Sequence, residues 1–250
     1  MRLLFVRHAE PDYVHDSLTE KGRVEAALLA ERLCKLDVKA FYVSPMGRAQ
    51  ATAEYTLKKL GREAQTLPWL EEFRGRIINP DTGTLRGPWD LRPLFYAEKK
   101  NLHSIDTWLN DPLIQGGNCA EMFEETKRGL DSVLKAHGYE KDGPIYRCED
   151  NKPDTLVFFC HFGISMAMLS YLTDISPLAL WQGFCALPSS VTTMITEERT
   201  KGEVHFRCMQ LGDISHLYAG DEPYSTAGLY QECYTGIDST YPYDQTTAKK

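Results

Sequence analysis

The chain has 250 residues, of which 42% are hydrophobic and 25% charged, and its formal net charge is −7. These values are ordinary for a globular protein, and the acidic balance argues against nucleic acid or an anionic membrane as the main partner. No apolar run approaches the ~18 residues of a membrane helix, and the start MRLLFVRHAE is charged too early for a signal peptide.

The first predicted element is a buried strand, LLFV, which ends directly in Arg7 and His8. Such an apolar run is typical of a central strand in a parallel sheet, and parallel sheets bind ligands at the carboxyl ends of their strands. We therefore expect Arg7 and His8 at the mouth of a crevice. The alternative is a surface arginine beside a hydrogen-bonded core histidine.

Helix and strand signals then alternate. The segment LTEKGRVEAALLAERLCKL has helical spacing of its apolar residues, which are Val24, Leu28, Leu29, Leu33 and Leu36. A second strand, VKAFYVS, ends at Ser44, and the next helix has Ser44 as a candidate N-cap, Pro45 at its first position and Gly61 at its end. Arg48 falls in the first turn of that helix, and a short strand is expected near AQTLPWL.

Residues 74 to 115 are rich in Gly, Pro and Asp at their start and indicate an excursion from the core. A long helix is predicted from about Cys119 to His137, followed by a loop or small hairpin. The apolar run from Leu156 to Cys160 has the same pattern as the first strand, because it is followed directly by a histidine, His161. A helix follows it, and SVTTMIT and EVHFRCMQL predict a final hairpin.

These elements predict an α/β fold: a three-layer α/β/α sandwich whose central sheet is mostly parallel with an antiparallel edge. We expect one domain over residues 1–220, with an inserted cap region at about 74–115, and a tyrosine-rich tail over residues 221–250. The tail has too few aliphatic residues for a core of its own. Part of it is expected to lie against the domain or a neighbouring subunit, which leaves a homodimer open.

Three strand ends therefore carry basic or polar side chains, and in a parallel sheet these ends face one side. Arg7, Arg48 and two helix N-termini suit a phosphate dianion. A central histidine suits covalent catalysis through phosphohistidine, and the leaving alkoxide then needs a carboxylic acid. Glu71 and Glu72 are the candidates, and the alternative for either is a solvated loop carboxylate.

The order of these motifs resembles the histidine phosphatase superfamily, also called the phosphoglycerate mutase-like superfamily, over roughly residues 1 to 212. VRHAE, VSPMGRAQATAEYT, LEEF, WLNDPLIQGGNCAEMFEETKRGLDSVL and VFFCHFGI are similar to its successive motifs. The resemblance implies that His8 accepts the phosphoryl group and that Arg7, Arg48 and His161 bind it. It favours Glu72 over Glu71 as the proton donor.

Three departures from the family pattern stand out. Ala9 replaces the usual glycine, and Asn118 and Cys119 stand where Glu-Ser is common. The segment from Glu10 to Ser17 is short and lacks the substrate-holding pattern of the mutases, which argues against glycolytic mutase activity.

We expect a phosphatase that hydrolyses small phosphate monoesters and needs no metal or cofactor. The alternatives are a mutase-type phosphotransferase and a catalytically silent phosphate-binding regulatory protein, although a pure binder has no need of a proton donor. A metal site at His8 and His161 is disfavoured because Arg7 and Arg48 would repel the ion.

Seven cysteines without a C-x-x-C pair support neither a zinc site nor a disulfide framework and favour a cytoplasmic location. The expected partner is a small phosphate ester, with no nucleic acid and no membrane. Residues 74 to 100 hold six basic against three acidic residues. Some of these cations, which include Arg86 and Arg92, are therefore expected to contact a second anionic group of the substrate, unless this segment is a solvated basic surface.

Overall fold

The structure, a computed structural model, describes residues 1–229. The strands are β1 Arg2–Arg7, β2 Pro11–Asp12, β3 Ser17–Leu18, β4 Ala40–Val43, β5 Gln65–Thr66, β6 Ile77–Ile78, β7 Leu85–Arg86, β8 Glu140–Asp142, β9 Ile145–Arg147, β10 Thr155–Cys160, β11 Val191–Thr200 and β12 Glu203–Asp213. The helices are α1 Glu20–Leu33, α2 Gly47–Leu60, α3 Pro93–Glu98, α4 Pro112–Gln115, α5 Cys119–Ala136, α6 Phe162–Thr173, α7 Pro177–Gly183 and α8 Ser215–Ala219.

Eight strands form the central sheet, in the order β5-β4-β10-β1-β11-β12-β9-β8. The pairs from β5 to β1 are parallel, and those from β1 to β8 are antiparallel. The predicted mixed sheet with an antiparallel edge is confirmed, and this edge includes the predicted hairpin β11–β12. The segment after α5, predicted as a loop or small hairpin, contains the hairpin β8–β9.

Side chains of β1 alternate between two cores, as the two-residue repeat of a strand requires. Leu3 and Phe5 belong to a core that also contains Leu130 of α5 and Ile164 of α6. On the other face, Leu4 and Val6 share a core with residues of α1 and α2, namely Leu29, Leu33, Ala49 and Ala53. The sheet is therefore the middle of three layers, and α1 and α2 cover the face opposite α5 and α6.

Two helices differ in detail from the prediction. In α1, Val24 is exposed although its spacing placed it on the core face, and Glu25 is buried instead. The helix after Ser44 begins at Gly47, and its N-cap residue is Met46 without a side-chain cap, so the N-cap prediction for Ser44 is wrong. The end at Gly61, in the left-handed conformation, agrees with the prediction.

Residues 74–115 form short pieces: β6 and β7, three 3₁₀ turns, α3 and α4. No helix among residues 1–229 has both the length and the apolar character needed to cross a membrane. Of the predicted tail, residues 221–229 are described, and Glu222 pairs with Lys21 of α1 at 2.6 Å. The remainder of the predicted tail, residues 230–250, lies outside the described part of the chain.

Candidate active site

The candidate site lies where the parallel strands β4, β10 and β1 end. Arg7 pairs with Cys160 in the sheet, so His8 and His161 follow neighbouring strand ends. The backbone N–H of His8 donates to the carbonyl of Cys160 at 3.0 Å, and the N–H of Ser44 donates to Phe159 at 2.9 Å. The parallel register therefore brings three chemically active positions together, although they are far apart in sequence.

His8 is 2% exposed, and its ring is held in one orientation. Its Nδ1 lies 2.8 Å from the carbonyl oxygen of Ala9, so Nδ1 carries the proton and Nε2 keeps its lone pair. Burial, followed by the charge of Arg7, lowers the pKa of His8 to about 3. His8 is thus a neutral imidazole at physiological pH, the form in which Nε2 can act as a nucleophile.

His161 is fully buried, and its ring centroid lies 5.1 Å from that of His8. Its Nε2 is 2.8 Å from the hydroxyl of Ser44, which also accepts the backbone N–H of Met46 at 3.2 Å. Among residues 1–229, His161 Nε2 is the only acceptor within reach of the Ser44 hydroxyl proton, so the hydroxyl donates to this nitrogen. The other ring nitrogen of His161, Nδ1, then carries a proton and acts as a donor.

Arg7 and Arg48 are each 8% exposed. Arg7 Nη1 donates to the carbonyl of Ala186 at 2.6 Å, and Arg48 Nη1 pairs with Asp16 at 2.6 Å. Burial alone would raise the pKa of Asp16, but hydrogen bonds from Gly47 and Arg48 lower it. Nη2 of Arg7 also lies 3.4 Å from the carbonyl oxygen of Ala227, and Nη2 of Arg48 lies 3.3 Å from Met46 Sδ, so the protein holds each guanidinium through its Nη groups.

Three buried N–H donors in this site have no hydrogen-bond partner among residues 1–229: Arg7 Nε, Arg48 Nε and His161 Nδ1. Buried donors are nearly always paired, because an unpaired one costs about 1–3 kcal/mol. Both arginines also lie close enough to His8 to lower its pKa. These donors suit an oxyanion beside His8.

Glu72 follows a 3₁₀ turn, Pro68–Leu70, and its Oε1 accepts the backbone N–H groups of Phe73 at 2.8 Å and Ile164 at 3.2 Å. Burial raises the pKa of Glu72, while the Phe73 N–H and the charge of Arg7 oppose this rise. The structure thus places Glu72 with the two arginines. Glu71 instead pairs with Arg74, at 3.6 Å.

The sequence reasoning missed several residues around the site. The sequence pattern indicates a helix cap at Ser44, and it contains no signal for Asp16, which binds Arg48. Thr52 binds the backbone N–H of Ala9 at 3.0 Å. The rings of Tyr13 and Trp89 also border the site. The only available signal was for Ser44, which ends a predicted strand as Arg7 does.

Three of the six basic side chains of residues 74–100, those of Arg74, Arg92 and Lys99, contact acidic side chains among residues 1–229. Arg92, which is 69% exposed, pairs with Asp81, and Lys99 lies 3.5 Å from Asp111. Arg86 is exposed in β7. These positions favour the alternative of a solvated basic surface over the expected contact with the substrate.

Residues 1–229 contain no group of three or more His, Cys, Asp or Glu side chains that could hold a metal ion. Burial lowers the pKa of His161, and His8, Arg48 and Arg7 lower it further. The arrangement suits an anion.

Two known proteins are similar to this chain in sequence. A "Phosphoserine phosphatase 1" from Hydrogenobacter thermophilus is 28% identical over 150 residues, which are 55% of this chain and 66% of that protein. A "Probable phosphatase" from Schizosaccharomyces pombe is 24% identical over 87% of this chain and 95% of its own. The chain thus spans just under two thirds of the first relative and nearly all of the second.

A solved structure has the same fold. Phosphoserine phosphatase from Entamoeba histolytica, in complex with 3-phosphoglyceric acid, superposes with a TM-score of 0.57 at 18% identity, covering 86% of this chain and 98% of that one. Residues 3–208 match the family described as histidine phosphatase superfamily (branch 1). Because this match extends over most of the chain, the resemblance noted in the sequence is confirmed: the chain belongs to the histidine phosphatase superfamily.

Proposed function

We propose that the protein hydrolyses small phosphate monoesters through a phosphohistidine on His8. The observation that carries this proposal is the set of three unpartnered donors, Arg7 Nε, Arg48 Nε and His161 Nδ1, around a neutral histidine. Donors fixed before the substrate arrives stabilise the charge that develops on phosphoryl oxygens without a reorganisation cost. The names of the two relatives and of the solved structure support a phosphatase.

In the first step, Nε2 of His8 attacks phosphorus, and the bond between phosphorus and the ester oxygen breaks. The leaving oxygen takes a proton from Glu72, whose pKa is raised by burial. In the second step, the Glu72 carboxylate accepts a proton from water as that water attacks phosphorus. The P–N bond breaks, and His8 and protonated Glu72 are regenerated with release of inorganic phosphate.

Arg7 and Arg48 hold the non-bridging oxygens in both steps in this mechanism. His161 adds a neutral donor, since Ser44 fixes the proton on its Nδ1. Its neutrality follows from its burial and from the neighbouring His8, Arg48 and Arg7, all of which lower its pKa.

The test is rapid quench with a radiolabelled aryl phosphate. We expect an acid-labile, base-stable adduct in the wild-type protein and its complete loss in His8→Ala. His205→Ala is the matched control, because His205 lies on β12 with an exposed side chain. Glu72→Gln should accumulate the adduct, because the second step lacks its base. Full activity in His8→Ala would disprove the proposal.

Product analysis separates the alternatives. A phosphatase releases inorganic phosphate, a mutase-type phosphotransferase returns an isomeric ester, and a silent regulatory protein binds the ester without forming an adduct.

We also propose a cytoplasmic location, which the free thiols of the six described cysteines support. A homodimer stays a prediction.

A further inference from the structure

The ring of Trp89 lies directly beside the carboxyl group of Glu72. A Cβ atom at Gly163 would lie 2.7 Å from Glu72 Oε1 and 2.5 Å from Trp89 Cζ3, so both side chains occupy the space that a larger residue would fill. The loop that carries Trp89 is anchored to α7, because Gln182 Nε2 donates to the carbonyl of Pro88 at 3.0 Å. The indole is therefore a fixed wall of the site.

This position matters for the leaving group. If Glu72 protonates the leaving oxygen, that oxygen must come within hydrogen-bond distance of its carboxyl group. The rest of the leaving alcohol must then lie against the neighbouring indole of Trp89. A tryptophan face favours flat apolar groups and offers no charge to a carboxylate.

Two more rings border the phosphate-binding arginines. The Phe162 ring centroid lies 6.0 Å from the guanidinium carbon of Arg7 and 6.2 Å from the ring of Trp89. The Tyr13 ring lies 5.6 Å from the guanidinium carbon of Arg48, and its hydroxyl opposes the fall in the pKa of Arg7 that burial causes. We call Tyr13, Trp89 and Phe162 the aromatic collar.

Two arginines of the segment after Glu72 pair with acidic side chains. Arg92 pairs with Asp81, and Arg74 lies 3.5–3.6 Å from Glu71 and Glu125. The arginine side chain of each pair is exposed to solvent. The surroundings of Glu72 thus combine aromatic rings with two arginines that the phosphoryl group itself would use.

We infer that the preferred substrates are phosphate monoesters of alcohols that carry an aromatic ring close to the ester oxygen, bound by stacking in the aromatic collar. This inference rests on the proposed phosphatase function and narrows its substrate class. It departs from the expectation that a second anionic group is recognised by Arg86 or Arg92.

The test compares benzyl phosphate, butyl phosphate and O-phosphoserine. All three are esters of primary alcohols, so differences in kcat/KM report contacts made by the leaving group more than its basicity. We expect kcat/KM for benzyl phosphate to exceed the other two values by about tenfold, as one good aromatic contact allows. Equal or higher kcat/KM for O-phosphoserine would overturn the inference and leave the phosphatase function standing.

Substitutions at Trp89 test whether its indole causes the preference for benzyl phosphate. Trp89→Leu should lower kcat/KM for benzyl phosphate about tenfold and leave kcat/KM for O-phosphoserine nearly unchanged. The loss should arise mainly in KM, because a contact made equally in the ground state and the transition state affects binding and not the chemical step. Trp89→Phe should retain most of the preference. Phe95→Leu, in the same segment but packed near Lys99, is the matched control.

Two results would contradict the inference. An equal loss for all three esters in Trp89→Leu, with Trp89→Phe no better, would mean that the indole only supports the fold. A wild-type protein that forms no adduct with any of the three esters, nor with an activated aryl phosphate, would overturn the proposed function and this inference together.

Discussion

Ser44 determines which nitrogen of His161 carries the proton. Its oxygen accepts the Met46 N–H and its proton is directed to His161 Nε2 at 2.8 Å, so a donor is left at Nδ1. A serine at the end of a strand and before a proline also fits a helix cap, which is why the sequence suggested that role. The choice between the two depends on the register of β4 against β10, which the sequence alone does not specify.

We predict that Ser44→Ala lowers kcat/KM about tenfold, because one buried hydrogen bond worth about 1–3 kcal/mol no longer fixes the tautomer. The ¹⁵N shifts of His161 should move toward a mixture of tautomers, while the circular dichroism spectrum stays unchanged. Ser104→Ala is the control, since that hydroxyl accepts the Asp106 N–H in an exposed turn. Unchanged ¹⁵N shifts together with lost activity would contradict this account.

Helix α1 carries a carboxyl group on its buried face. Glu25 Oε2 accepts the Glu10 N–H at 2.8 Å, and Oε1 has no hydrogen-bond partner within the described part of the chain. Burial raises the pKa of Glu25 to about 7; the Glu10 N–H and Lys21 oppose the rise, and the carboxylates of Glu10 and Glu222 add to it. The helix therefore packs best with Glu25 protonated.

This packing makes stability pH-dependent. Between the ordinary pKa of 4.5 and the folded value of about 7, the unfolded chain loses a proton that the folded chain keeps, so the free energy of unfolding falls as pH rises, by roughly 3 kcal/mol in total. We predict that Glu25→Gln is more stable than wild type at pH 8 by up to this amount and equal to it at pH 4, measured by urea unfolding.

The control is Glu54→Gln, an exposed residue on α2 that pairs with Lys58. Its effect should be small at both pH values, because an exposed pair contributes little. If Glu25→Gln were destabilising at pH 8, the buried carboxylate would have a stabilising partner, contrary to its unpaired Oε1.

The strands were the most predictable elements. The apolar runs of β1 and β10 are buried on both faces, so they read as continuous hydrophobic segments that end abruptly in polar residues. The face of α1 was less predictable, since Val24 fits the helical spacing but lies exposed. Residues 74–115 lack any period, so neither their short turns nor the position of Trp89 followed from pattern.

Across the molecule, the parallel order of β4, β10 and β1 accounts for the part of the site that was predictable. Arg7, His8 and His161 lie at strand ends, and their proximity follows from the topology once the sheet is parallel. Tyr13, Trp89 and Ala227 reach the site from loops and from the C-terminal segment. Their positions depend on tertiary packing that no local pattern records.

The C-terminal segment is the most distant contributor in sequence. The carbonyl oxygen of Ala227 lies 3.4 Å from Arg7 Nη2, and Gly228 has a φ of +90°. A Cβ atom at Gly228 would come within 2.6 Å of Arg7 Nη2. A glycine is required there on two grounds: the left-handed backbone and the close approach of the guanidinium.

We predict that Gly228→Ala lowers kcat/KM for phosphate esters about tenfold, because displaced Arg7 loses part of a charge-assisted hydrogen bond to the phosphoryl group. The matched control is Gly138→Ala, at a φ of +87° with nothing within 4 Å of the added methyl. Both variants should lose about 1–2 kcal/mol of stability from the left-handed backbone, measured by urea unfolding. Only Gly228→Ala should lose activity; wild-type kcat/KM in that variant would show that the segment does not position Arg7.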